Sequence, residues 1–195
     1  ITSLSNVLDI GAGDNFAFAV QSNKTWGGGY SERTLGTYTG GISQSAPIEV
    51  PGFNGNWTNN DPQIKISGGI LHGMAIKSDL TLWTWGADGG NLWGTLGLGS
   101  TYDSAPAQVP GLPSVIDSEA GWNHSLCLSG TGAVWAWGSN EYGQLGDGSN
   151  SKRNSPFQLI SLGSGHRSVA AGMFHSAAVK GDGTIWCWGR NAWGQ

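Results

Sequence analysis

Charge and sulfur are both scarce in this 195-residue chain. Only 11% of its residues are Asp, Glu, Lys or Arg, and nine basic side chains face thirteen acidic ones, for a net charge of −4. The electrostatic footprint of a protein that grips nucleic acid or an anionic membrane surface is therefore missing. Lys152-Arg153 is the one adjacent basic pair. Two cysteines, Cys127 and Cys187, are too few for a disulfide scaffold and do not have metal-site spacing, so they leave the redox compartment open. No apolar run approaches the roughly eighteen residues of a membrane helix, and no basic, hydrophobic leader precedes the first strand pattern, so neither membrane insertion nor a retained signal peptide is expected. Also missing are a P-loop, a dinucleotide fingerprint, a nucleophile elbow and a paired-carboxylate site. The expectation is no enzyme and no cofactor.

What is abundant points elsewhere. Thirty-four glycines and eleven tryptophans, against an average glycine usage of about 7%, suit many tight turns between short aromatic strands rather than long helices. The stretch AVWAWGSNEYGQLGDG (133–148) has counterparts in LWTWGADGGNLWGTLGLG, in IWCWGRNAWGQ and, more weakly, in TWGGGYSERTLG. Gly13, Gly69, Gly121 and Gly172 mark the same point of each unit and lie 56, 52 and 51 residues apart. Three residues after each comes Phe16, His72, His124 or His175, opening an apolar strand (FAFAV, HGMAI, HSLCL, HSAAV). A Ser/Asn/Asp/Gly turn and the tryptophan strand follow, which reads as a β-hairpin. Because side chains alternate along a strand, Trp135 and Trp137 share a face, as do Trp83 with Trp85 and Trp186 with Trp188. With a Pro-containing strand after it and another apolar strand before it, each unit has about four strands. The fold class is all-β, with tryptophan pairs packed between stacked sheets as in a β-propeller.

Each conspicuous side chain also has a structural reading. His72, His124 and His175 occupy one repeated position and are expected to donate to backbone carbonyls rather than to hold a metal. Asp147 and Asp182 read as Asp-Gly turn formers rather than calcium ligands. Trp93, Tyr142 and Trp193 share one loop position, either blade-edge packing or a recognition rim. Trp57 and Trp122 have no aromatic counterparts. Trp57, Trp93 and Trp122 are the candidate binding residues, the first two lying in the non-repeating insertions 53–63 and 86–94.

The ordered motifs of residues 120–157 and 171–195 resemble the repeat of the regulator of chromosome condensation family, and the likeness extends over nearly the whole chain. It implies a seven-bladed propeller of four-stranded blades. About four blades are expected here, with repeat cores near 11–50, 67–110, 119–160 and 170–195 in one propeller region, 1–195. The remaining blades would come from a longer chain or another subunit. The low charge and the Gly, Ser, Asn, Thr and Trp content, above all in residues 82–109, resemble members of this family on bacterial surfaces and in tailed phages.

The function so implied is a non-enzymatic binding or structural module that presents a rigid loop surface to a protein or glycan partner, on a cell surface or virion rather than in a nucleus. The alternative is an intracellular regulatory propeller such as a guanine nucleotide exchange factor for a small GTPase; an enzyme carried on further domains is a third reading. The family's exchange activity on Ran accompanies chromatin attachment, which favours a basic surface that this chain does not have. GWNHS (121–125) is similar to the Gly-Trp-Arg-His-Thr motif of the family's plant UV-B photoreceptor. Asn123 replaces the arginine, however, and Ile70 and Met173 stand where neighbouring tryptophans would be, so photoreception is not expected.

Overall fold

The computed structural model describes residues 4–30, 34–36, 43–53, 64–86, 92–99 and 105–194. They form four antiparallel sheets in which sequential strands are neighbours. The first contains β1 (Asp9–Ala12), β2 (Phe16–Gln21), β3 (Lys24–Gly29) and β4 (Gln44–Glu49). β5 (Lys65–Gly68), β6 (His72–Ile76), β7 (Leu82–Gly86) and β8 (Ala107–Gln108) form the second. In the third are β9 (Val115–Ala120), β10 (His124–Ser129), β11 (Val134–Gly138) and β12 (Arg153–Gln158). The fourth has β13 (His166–Ala171), β14 (His175–Lys180) and β15 (Ile185–Gly189). Among the described residues the one helical element is a 3-10 turn, Ile160–Leu162. The first strands of successive sheets lie side by side, so the sheets radiate from a common inner edge as the blades of a β-propeller do.

The cores lie between the sheets. Trp85 of β7 packs against Phe18, Leu35 and Phe53 of the first unit. Trp137 packs with Met74, Ile76 and Val109 of the second, and Trp188 closes on Leu126, Leu128 and Leu145 of the third. Trp135 and Trp137 share the face turned toward the second unit, as alternation along the strand requires. Every tryptophan strand ends on a glycine with positive φ, between 104° and 118°. A Cβ at Gly29, Gly86, Gly138 or Gly189 would strike the carbonyl oxygen of Asn15, Leu71, Asn123 or Phe174 respectively, which explains the glycine that ends each of these strands.

Polar groups cross the seams in a repeated pattern. His72 Nε2 lies 3.0 Å from Ser125 Oγ in the next sheet, and Ser125 donates to the Thr95 carbonyl at 2.9 Å. That carbonyl also takes the Trp137 indole N–H at 2.8 Å. One seam on, His124 meets Ser176 at 3.0 Å, Ser176 donates to the Gln144 carbonyl at 2.7 Å, and Trp188 donates to the same oxygen at 2.8 Å. Since each serine gives its only proton to a carbonyl, each imidazole is the donor and carries its proton on Nε2. His72 and His124 therefore bond to hydroxyls of the neighbouring sheet, not to backbone carbonyls as expected, because the serine that follows the histidine of the next unit lies within reach of Nε2. Burial pushes His72 down to about 4. Burial, followed by the charges of His72 and His175, pushes His124 down to about 3, so both are neutral at pH 7.

The seam between the first two sheets departs from this pattern at both partners. Phe16 occupies the histidine position and Gly73 the serine position, and the Trp85 indole N–H has no acceptor among the described residues.

Candidate functional site

The connections between first and second strands and the C-terminal ends of the tryptophan strands, Gly29, Gly86, Gly138 and Gly189, lie at one end of the sheets. Backbone bonds join the two: Tyr30, Ser139 and Arg190 donate their N–H to the carbonyls of Asn15, Asn123 and Phe174, at 2.8, 2.7 and 2.9 Å. The tips of the connections carry Asp14, Ile70, Trp122 and Met173 at one repeated position. These side chains surround a cavity of about 410 Å³ whose inner wall is made of small residues such as Ala120 and Ala171.

The longer loop of the third unit is held from within. Asn140 donates to Asp147 Oδ1 and to the Ser149 carbonyl, both at 2.9 Å, and accepts the Leu145 N–H at 2.9 Å. Asp147 is fully covered and receives Arg153 Nε at 2.6 Å. Burial alone would oppose its ionisation, but the Ser149 amide, Arg153 and Asn140 hold its carboxyl down at about 2. Asp147 is thus a turn former whose oxygens are already occupied; Asp182 is a turn former as well, exposed and accepting the Thr184 N–H at 2.9 Å through one oxygen.

On this end the boundary between the third and fourth sheets gathers an aromatic cluster. Trp122 stacks on Phe174 with centroids 5.2 Å apart and planes at 22°. Tyr142 meets the same phenyl ring at 4.9 Å. The Arg190 guanidinium lies 5.1 Å from the Tyr142 centroid and 5.7 Å from that of Phe174. Met173 is 45% exposed, Tyr142 42% and Trp193 86%.

The three candidate tryptophans fare differently. Trp122 is half-buried, and its indole nitrogen is covered and without an acceptor among the described residues, so it supports the patch more than it projects from it. Trp93 is also partly buried, in a loop tied to the third sheet by Gly99 N–H to the Asn154 carbonyl at 2.9 Å and Lys152 Nζ to the Leu92 carbonyl at 2.9 Å. Trp57 lies outside the described residues; Phe53 and Ile64, which flank that stretch, belong to the opposite end of the sheets. Phe174 and Arg190 were not singled out from sequence. The available signal was slight: aligned on glycine and histidine, GWNHS and GMFHS place their aromatics one position apart, which lets one loop's ring lie on the next loop's.

Profiles of the regulator of chromosome condensation (RCC1) repeat match residues 81–128 and 131–179 and, in a second form, 115–144 and 167–195. The chain belongs to the RCC1 repeat family. The X-linked retinitis pigmentosa GTPase regulator of Homo sapiens is 37% identical over 145 residues, 71% of this chain and 14% of that protein. The ultraviolet-B receptor UVR8 of Arabidopsis thaliana is 32% identical over 134 residues, 67% of this chain and 30% of that protein. Among solved structures, human WBSCR16 superposes with a TM-score of 0.82 at 23% identity over 98% of this chain and 51% of the other. Yeast RCC1 (Prp20), in complex with Kap60, gives 0.78 at 21% over 98% and 45%. At these identities the structures establish the RCC1 propeller fold. The RCC1-repeat chain spans about half of these solved chains and less than a third of the two relatives. These relatives are eukaryotic and lend no support to the expected likeness to bacterial surface and phage proteins. Glycine, serine, asparagine and tryptophan follow from the turn-dense repeat itself, so their abundance does not discriminate between sources.

Proposed function

We propose that this chain is a non-enzymatic protein-binding module that offers the loop end of a rigid propeller to a protein partner. The observation that carries the reading is the cluster at the boundary of the third and fourth sheets, where Met173 and Tyr142 stand exposed on a support of Trp122, Phe174 and the internally bonded loop 139–152; Trp193, at Tyr142's repeat position one unit on, is exposed as well. Tyrosine, tryptophan and arginine on a preorganised surface are the composition of interface hot spots. The names of the relatives, a GTPase regulator and a light receptor, agree with a regulatory binding role. They favour the intracellular regulatory propeller as the second reading, a nucleotide exchange factor included. A glycan partner and a cell-surface or virion location rest on low charge and polar composition alone.

A photo-cross-linker placed at Tyr142 or Trp193 captures the partner, and alanine variants then measure the contribution of each ring. Tyr142→Ala, Trp193→Ala and Trp93→Ala are each expected to weaken that complex by about 1–2 kcal/mol with little change in melting temperature. Unchanged binding in all three overturns the reading. Accelerated release of labelled GDP from a small GTPase by the purified chain overturns it in favour of exchange activity.

A further inference from the structure

We infer that Arg190 is the receptor for a carboxylate of the protein partner, an aspartate or glutamate within an otherwise apolar segment; this rests on the loop-end reading above. Three observations converge on it. Arg190 directly follows Gly189, whose φ of 104° sets the direction in which the chain leaves the sheet, and its N–H is tied to the Phe174 carbonyl. Two rings from two loops, Tyr142 and Phe174, then hold the guanidinium. A cation–π contact uses the face of the guanidinium and leaves its in-plane N–H donors for a planar, bidentate acceptor.

The second observation is what the other cations do. Arg153 is committed to Asp147, Lys65 to Asp117 and Glu119, and Lys24 to Glu49; Lys77 and Lys180 lie over tryptophan rings with Asp79 and Asp182 nearby, and Arg167, like Arg190, has no ion pair among the described residues but also no ring to hold it. Among the described residues no carboxylate pairs with Arg190, and the exposed Glu141 beside Tyr142 makes no ion pair with it. A guanidinium fixed in place without an anion is complementary to an incoming one.

The third is the rim. Tyr142 borders the guanidinium with exposed apolar surface, and Met173, next to Phe174 in the chain, is exposed on the same loop end. Once covered by a partner's apolar side chains, such a border keeps water off the ion pair and raises its contribution above that of an exposed surface pair. Lys77 is the internal contrast: it lies 3.6 Å from the Trp83 centroid, also a cation over an aromatic ring, but at the opposite end of the sheets and beside Asp79.

The test titrates a fluorescein-labelled peptide of alternating glutamate and leucine, and its glutamine counterpart, against the full chain by fluorescence polarisation at physiological salt. The glutamate peptide is expected to bind saturably and the glutamine peptide to bind at least about tenfold more weakly. Arg190→Gln abolishes the difference between the peptides. Arg190→Lys restores it only in part, because an ammonium cannot form the two parallel bonds. Lys77→Gln behaves as the parent, and near-ultraviolet circular dichroism verifies that each variant is folded. Equal binding of the two peptides, unchanged binding to Arg190→Gln, or no saturation at millimolar peptide overturns the inference. If the acidic peptide fails while the Tyr142→Ala and Trp193→Ala variants lose their cross-linked partner, the inference falls and the loop-end function stands. If the peptide binds through Arg190 while those variants keep their partner, the function reading falls instead.

Discussion

At the residue scale the informative groups are the seam histidines. His72 and His124 are buried as neutral donors to serine hydroxyls, and their values of about 4 and 3 lie below the 6.5 of an exposed imidazole. Between pH 6.5 and about 4 the unfolded chain binds more protons than the folded one. Stability therefore falls as the solution is acidified through that window, by about 1.4 kcal/mol per pH unit for each histidine, and has no slope from these groups above it. Urea titrations at pH 7, 6, 5 and 4 are expected to show this, and His124→Gln to remove about one proton from the slope. A flat profile in the parent would show that the imidazoles are not sequestered. The position of the histidines was legible because it repeats. Their serine partners were not, because Ser125 and Ser176 lie 53 and 52 residues further along the chain. Between the first two sheets the corresponding positions are Phe16 and Gly73, so that seam is closed without the polar pair, and the Trp85 ring lies where a side chain on Gly73 would be.

The tryptophan strands decide matters at the scale of elements. Trp137 is fully buried and donates to Thr95, whereas Trp186, at the first tryptophan position of β15, is 43% exposed beneath Lys180. The two positions of the motif thus contribute unequally: Trp83 and Trp135, at the first position, are half-buried, whereas Trp85 and Trp137, at the second, are fully buried. Trp137→Ala is expected to cost about 3–5 kcal/mol through the cavity it leaves, and Trp186→Ala less than about 1 kcal/mol, both read from denaturant midpoints. Similar losses at the two positions would show that Trp186 is covered in solution. Sequence periodicity established that both rings of a pair share a face, but not how much of each ring another sheet covers. That depends on which neighbour the face meets.

At the scale of the molecule, stability resides in sheet-to-sheet seams, so each unit depends chiefly on its neighbours. β10 is buried along its whole length between two strands and two sheets, while β12, the outer strand of the same sheet, is only partly covered and its pairing is interrupted by a bulge. Hydrogen exchange is expected to be slowest at Leu126, Cys127 and Leu128 and faster by orders of magnitude at Asn154 and Ser155, which the bulge leaves outside the ladder. Uniform protection across both strands would contradict a seam-based distribution of stability.

What the sequence determined by itself is the local grammar: short strands, glycine where the chain must turn back past a carbonyl, paired rings on one face, and a unit of about fifty residues. These are encoded by neighbours along the chain and by side-chain alternation, so repetition makes them visible. The candidate site is different in kind. Trp122, Tyr142, Phe174 and Arg190 come from four separate loops, and none belongs to a motif that announces the others. Only the radial stacking of the third and fourth sheets brings one loop's ring onto the next loop's and places a guanidinium over both, because contact between successive units depends on the angle and spacing of whole sheets rather than on sequence separation.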